Sequence, residues 1–100
     1  ILFEMCVDGV LATDTEIYTK TLFELGKQDA SDLLGKINIP FYAAGGGKDW
    51  VTPHKNIEEA VRCIPESRYS FFPEASHFGI MEDSPRLTSE IREFIKSSTP

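Results

Sequence analysis

The chain has few of the features that mark easily recognised protein classes. Its 100 residues include only two cysteines and no lysine–arginine run, and no apolar stretch approaches the roughly 20 residues of a membrane helix. Cys6 and Cys63 are too far apart for a zinc ribbon or a disulfide-rich secreted domain, which favours buried free thiols in a reducing compartment such as the cytoplasm. Sixteen acidic residues against ten basic ones, a net charge of −6, argue against a nucleic-acid surface. We therefore expect a cytoplasmic protein without nucleic-acid or membrane partners.

Targeting and organisational signals are also missing. The first residues carry acids where a secretory signal would carry basic residues, and no repeat, low-complexity tract or linker interrupts the chain. A composition of 41% hydrophobic and 26% charged residues is typical of one globular domain, so residues 1–100 are expected to form a single unit. The chain starts with Ile1 and not methionine, which suggests that it begins inside a longer one.

The helical signals come first along the chain. Thr13 and Glu16 have the spacing of a capping box, which predicts a helix start there, and Gly26 is a plausible end. One further helical turn is predicted over residues 32–35. Any helix should end before Pro40, because proline disfavours helical geometry in the residue that precedes it. Residues 13–34 are thus predicted to be a mainly helical segment.

Residues 41–97 predict an α/β fold in the order strand, helix, strand, helix. The run "FYAAG" (41–45) is apolar without alternation, as in a buried parallel strand. A helix is predicted from Pro53, a second strand over the aromatic residues 68–72, and a last helix from Ser84. Two strands are too few for a stable parallel sheet, so we expect its edge to pair with more sheet, from the rest of the protein or another copy.

Two polar residues directly follow the predicted strands. Asp49 comes after the first and His77 after the second, and the carboxyl ends of parallel strands share one edge of a sheet. A carboxylate beside an imidazole fixes its tautomer and leaves the other ring nitrogen free as a general base. Two structural alternatives remain open: Asp49 could cap the helix near Pro53, and His77 could bond to loop backbone. His54 is predicted to be an exposed first-turn residue.

Neighbouring residues suggest further roles. Trp50 and Phe78 flank the two candidates and are predicted to line a substrate pocket, with simple packing as the alternative. Glu82 is predicted to bond to loop backbone or to the last helix. No His-x-x-x-His or Cys-x-x-Cys spacing supports a metal site. Glycines 45–47 are not followed by Gly-Lys-Ser/Thr, which argues against a phosphate loop.

Several of these elements together resemble a known family. They are Gly46-x-x-Asp49-x-x-x-Pro53, Ile64-Pro65, Ala75-Ser76-His77, and Glu82-x-x-Pro85 before an amphipathic helix. In this order they resemble the C-terminal part of the α/β-hydrolase fold over residues 33–97. Residues 13–32 resemble more loosely the helix that returns from the lid. The resemblance implies that Asp49 and His77 are the acid and the histidine of a nucleophile–acid–histidine triad.

The chain departs from that family at the nucleophile. It contains no Gly-x-Ser-x-Gly, and Cys6 is a poor substitute because Glu4 and Asp8 occupy positions that need small residues. The nucleophile, expected to be a serine, should therefore lie outside this chain, which by itself should be inactive. The resemblance implies cofactor-free, esterase-like hydrolysis of a small ester or acyl substrate by the complete enzyme. The alternative is a non-catalytic fragment or interaction module that pairs through its exposed sheet edge.

Overall fold

The computed structural model describes residues 1–99, which belong to two compact units. The first unit is Ile1–Ala30, and the second begins at Ser31. The sequence predicts that all 100 residues form one unit within a hydrolase domain, and that assignment stays a prediction. In the described part of the chain, every helix is too short or too polar to cross a lipid bilayer.

The first unit contains two helices, α1 (Leu2–Ala12) and α2 (Thr15–Leu25). Asp14 caps α2, because its carboxylate accepts the backbone N–H of Ile17 at 3.1 Å. The capping-box spacing points instead to Thr13, one residue too early. The Thr13 hydroxyl donates to the carbonyl of Gly9 at 2.9 Å, and so it serves the end of α1.

The second unit confirms the predicted order of strand, helix, strand and helix. Its elements are α3 (Ser31–Leu34), β1 (Phe41–Gly46), α4 (His54–Arg62), β2 (Ser67–Phe72), α5 (Gly79–Glu82) and α6 (Ser84–Ser98). The two strands are parallel neighbours, with Phe41 opposite Ser67 at the start of the register. The short helix α5, which the sequence does not predict, lies between β2 and α6.

Successive strand residues point to opposite sides of the sheet, so the sheet has two faces. A helix packs on each of them. On one face, Tyr42 packs on Phe94 of α6 with ring centroids 5.5 Å apart, and its hydroxyl donates to Glu90 at 3.1 Å. On the other face, Phe71 packs on His54 of α4 with centroids 4.8 Å apart. His54 is therefore half-buried, and the prediction of an exposed residue is wrong.

The core of the second unit has residues on both faces of the sheet, beside α4 and beside α6. Its buried apolar residues are Val61 near the end of α4, Ile64 two residues after that helix, Phe72 at the end of β2, and Ala75 in the following loop. Burying a side chain the size of valine, isoleucine or phenylalanine stabilises a fold by about 1.5–3 kcal/mol. Since the core continues beyond β2 to Ala75, it supports the loop that carries His77.

Part of the apolar surface stays uncovered by described residues. The sheet has two strands, so β1 pairs on one side only within the part of the chain that the structure describes. A groove of about 330 Å³ runs beside β1 and α4. Its apolar lining includes Leu34, Phe41, Ala43, Val51, Ile57 and Ile64. An apolar groove beside an unpaired strand is a typical place for additional sheet to pack.

Candidate active site

The two strands end level with each other, which brings two loops to the same edge of the sheet. Gly46, the last residue of β1, pairs with Phe72, the last residue of β2. We call residues 47–53 the acid loop and residues 73–78 the histidine loop. Because the strands are parallel, both loops leave the sheet at the edge where side chains from neighbouring strands can meet.

Main-chain contacts hold the acid loop against the histidine loop. The Gly47 N–H donates to the carbonyl of Phe72 at 2.8 Å, and the Lys48 N–H donates to that of Ala75 at 2.9 Å. A Cβ atom added to Gly46 would overlap the carbonyl oxygens of Ala75 and Ser76. The glycines thus permit a close approach of two backbones, which is the role that the missing side chain of glycine allows.

Asp49 is held in the acid loop by donors from the same loop. Its Oδ1 accepts the backbone N–H groups of Val51 and Thr52, both at 2.9 Å, and its Oδ2 accepts the Thr52 hydroxyl at 2.8 Å. These donors precede α4, so the alternative in which Asp49 caps that helix does not describe its contacts. Desolvation raises the pKa of Asp49, but hydrogen bonds from Thr52, His77 and Val51 outweigh it and lower the pKa to about 2. The side chain is therefore an anion at neutral pH.

His77 meets Asp49 across the two loops. The His77 Nδ1 lies 3.1 Å from Asp49 Oδ2 and 3.4 Å from the Thr52 hydroxyl oxygen. The Asp49 side chain is only 6% exposed, whereas that of His77 is 46% exposed. An imidazole whose Nδ1–H bonds to a buried carboxylate, and whose ring is open to solvent, can exchange a proton through Nε2.

A second set of contacts closes the histidine loop onto α5. Glu82 Oε1 accepts the backbone N–H of Ser76 at 3.1 Å and also bonds to the Ser76 hydroxyl. The Ser76 hydroxyl oxygen in turn accepts the N–H of Phe78 at 3.2 Å. The predicted role of Glu82 as a partner of loop backbone is confirmed, and the Ser76 hydroxyl extends its contact to the backbone on the other side of His77.

A cavity of about 270 Å³ opens beside the two candidate residues. Its lining includes Gly46, Asp49, Thr52, Phe72, Ser76 and His77. Trp50 is 86% exposed and Phe78 is 50% exposed, and neither ring is among the described residues that line this cavity. The Phe78 ring stands edge-on to the His77 ring, with centroids 5.9 Å apart. The substrate-binding roles of Trp50 and Phe78 stay predictions.

The two cysteines lie outside the cavity that Asp49 and His77 line. Cys6 lies inside helix α1, so it does not occupy the strand-to-helix turn that exposes a nucleophile in an elbow. Both Cys6 and Cys63 are free thiols, but Cys6 is half-buried and Cys63 is exposed, so the prediction that they are buried is wrong. Among residues 1–99, no group of three or more histidine, cysteine or carboxylate side chains is placed to hold a metal ion.

Comparison with known proteins supports a hydrolase-like fold. No protein-family model matches the chain, and no curated protein is significantly similar to it. Among solved structures, the chain is similar to a thermophilic esterase from Thermogutta terrifontis with malate bound. The two share 32% sequence identity at a TM-score of 0.68, and the match covers 73% of this chain and 27% of the esterase chain. The chain has a hydrolase-like α/β fold and spans about a quarter of the length of that esterase.

Two contributions to the site are not predicted by the sequence reasoning. One is the close approach permitted by Gly46 and Gly47: the family motif includes Gly46, but neither glycine predicts a backbone contact between the two loops. The other is Thr52, which contacts both Asp49 and His77. Its position three residues after an aspartate is a local signal, because short polar side chains commonly close such turns. The contact with His77 depends on the other loop and has no signal in the local sequence.

Proposed function

We propose that these residues form the acid–histidine part of an esterase-like hydrolase. The observation that carries the proposal is the 3.1 Å contact between Asp49 Oδ2 and His77 Nδ1 at the carboxyl end of two parallel strands. The similarity to an esterase supports the same reaction class. The proposed substrate is a small ester or related acyl compound, and the proposed reaction uses no cofactor.

The proposed chemistry assigns one proton-handling task to each residue. A serine hydroxyl attacks the substrate carbonyl while His77 Nε2 accepts its proton, and His77 then gives the proton to the leaving alcohol. Water hydrolyses the acyl-enzyme with the same imidazole as base. Asp49 accepts the Nδ1–H throughout, and its negative charge stabilises the imidazolium that forms. The low pKa of Asp49 supports this role, because a carboxyl group that stays ionised cannot compete for the transferred proton.

The nucleophile and the oxyanion-hole donors are proposed to come from residues outside this chain. The 100 residues contain no Gly-x-Ser-x-Gly, and Cys6 lies within a helix. The edge of β1 and the adjoining apolar groove would receive the rest of the hydrolase domain. The chain by itself is then inactive, and Trp50 and Phe78 would border the substrate in the completed site.

The same unpaired edge supports a second candidate function. Exposed apolar side chains next to an edge strand favour association, so the chain could be a non-catalytic module that pairs with another copy. Sedimentation of the natural full-length protein, with an ester-hydrolysis assay of each species, distinguishes the enzyme from the interaction module. A hydrolytically active species supports the enzyme, whereas an inactive oligomer that dissociates after a proline substitution in β1 supports the module.

The test of the enzyme uses His77→Ala in the full-length protein that carries these residues. We expect kcat for hydrolysis of a short-chain ester to fall about 10³-fold or more, with little change in the unfolding midpoint. His54→Ala is the matched control: it removes the other imidazole, which packs on Phe71, and should affect stability more than kcat. Activity above about a tenth of wild type in His77→Ala would refute the assignment.

A further inference from the structure

Thr52 has an unusual share of the contacts around the Asp49 carboxylate. It supplies the backbone N–H to Oδ1 at 2.9 Å and the hydroxyl to Oδ2 at 2.8 Å, while Val51 supplies one donor and His77 lies at the remaining position. The Thr52 side chain therefore contacts the same carboxylate oxygen as the imidazole, and it also lies 3.4 Å from His77 Nδ1.

The single hydroxyl proton of Thr52 determines what this oxygen presents to the imidazole. Because that proton is directed to Asp49 Oδ2, the hydroxyl offers only lone pairs to His77 Nδ1. A protonated Nδ1 then faces two acceptors, the carboxylate and the hydroxyl. An unprotonated Nδ1 would place its own lone pair against both oxygens, which is unfavourable.

We propose that Thr52 is a positioning residue that orients the Asp49 carboxylate and keeps the proton of neutral His77 on Nδ1, so that Nε2 stays free to accept a proton. The inference deepens the proposed function and rests on it for its catalytic consequence. The positioning itself is a property of three described side chains. A threonine that only closed the turn would need its backbone N–H to Asp49 and not its hydroxyl near the imidazole.

The experiment compares Thr52→Val with Thr52→Ser in the full-length protein. Valine keeps the branched shape and the backbone N–H but removes the hydroxyl, whereas serine keeps the hydroxyl. We expect Thr52→Val to lower kcat about tenfold, the factor that corresponds to one hydrogen bond of ordinary net strength, with KM nearly unchanged. Thr52→Ser should stay near wild type. The matched control is Thr99→Val, because the Thr99 hydroxyl bonds to the carbonyl of Ile95 near the end of α6.

A spectroscopic measurement separates positioning from simple stabilisation. Imidazole ¹⁵N shifts, recorded above pH 8 where an ordinary histidine is neutral, report which ring nitrogen carries the proton. The His77 signals are identified by their absence in His77→Ala. We expect the Nδ1–H form in wild type and Thr52→Ser, and a larger share of the Nε2–H form in Thr52→Val. If Thr52→Val does not fold, Thr52→Ala removes the same hydroxyl.

Two results would overturn the inference. One is a Thr52→Val protein whose ¹⁵N shifts and kcat match wild type, even if its unfolding midpoint falls. The other is an equal loss in Thr52→Ser, because serine retains the hydroxyl. Failure of the proposed function is a separate result, since it would leave His77→Ala active. In that case the ¹⁵N shifts alone still decide whether Thr52 positions the imidazole.

Discussion

The replacement Asp49→Asn is the sharpest test of the acid–histidine contact, because the structure dictates how the new amide must lie. Asp49 Oδ1 accepts two backbone N–H groups, so an amide NH₂ at that position would face two donors. The asparagine oxygen should therefore take the Oδ1 position. The NH₂ group then takes the Oδ2 position, next to the Thr52 hydroxyl and His77 Nδ1.

That orientation reverses the hydrogen bond to the imidazole. The NH₂ group donates to Nδ1, which selects the tautomer with its proton on Nε2, and Nε2 can then no longer accept a proton from a nucleophile. In serine proteases the corresponding acid-to-amide change lowers kcat about 10⁴-fold through the same wrong tautomer. We expect a loss of about 10³-fold or more in kcat for Asp49→Asn, with the loops otherwise intact.

The assay measures ester hydrolysis by the full-length protein and its two single variants and double variant. Because residues that act as a unit are strongly non-additive, Asp49→Asn combined with His77→Ala should be little worse than the worse single variant. A kcat for Asp49→Asn above about a tenth of wild type would refute the reasoning. Losses that multiplied in the double variant would do so as well, because they would mean that the two residues act independently.

Two further predictions concern stability. Gly46→Ala should lower the free energy of unfolding by about 1–3 kcal/mol, as overpacking does, and reduce hydrolysis, because the new Cβ would overlap the Ala75 carbonyl. The control is Gly9→Ala inside α1, where a Cβ would meet nothing within 4 Å; it should raise the free energy of unfolding by about 0.5–1 kcal/mol. Equal free energies of unfolding for the two variants would contradict the close approach of the loops. Because the folded-state pKa of Asp49 is lowered to about 2, its stabilising contribution should be complete above its unfolded pKa of about 4 and be lost as pH falls through 2. In urea titrations at descending pH, Asp49→Asn should lack that component; a variant with the wild-type acid profile would be inconsistent with it.

Helices and strands with a continuous local sequence pattern could be predicted from the sequence. Features that depend on contacts between distant residues could not. The apolar run that forms β1, the aromatic run that forms β2 and the Ser84 start of α6 are local signals, and each boundary agrees to within one residue. Helix α1 carries no comparable start signal. The N-cap of α2 is Asp14. The sequence could not distinguish it from Thr13, because both residue types are good caps and the two are adjacent.

The candidate site divides along the same line. Asp49 and His77 were placed by their positions after two strands, since topology alone brings such positions together. The roles of Thr52 and the burial of His54 depend on contacts with residues distant in sequence, His77 and Phe71. No local pattern encodes a contact that forms only when two loops, or a helix and a strand, pack.

The main-chain bonds between the acid loop and the histidine loop also determine which positions can change freely. The loops are joined through backbone atoms of Gly47, Lys48, Phe72 and Ala75, so the alignment does not depend on the side chain of Lys48. That side chain pairs with Glu74 and stays mostly exposed, and the Trp50 side chain is exposed as well. Evolution or an engineer could therefore vary residues 48 and 50, while the contact between Asp49 and His77 is inherited unchanged.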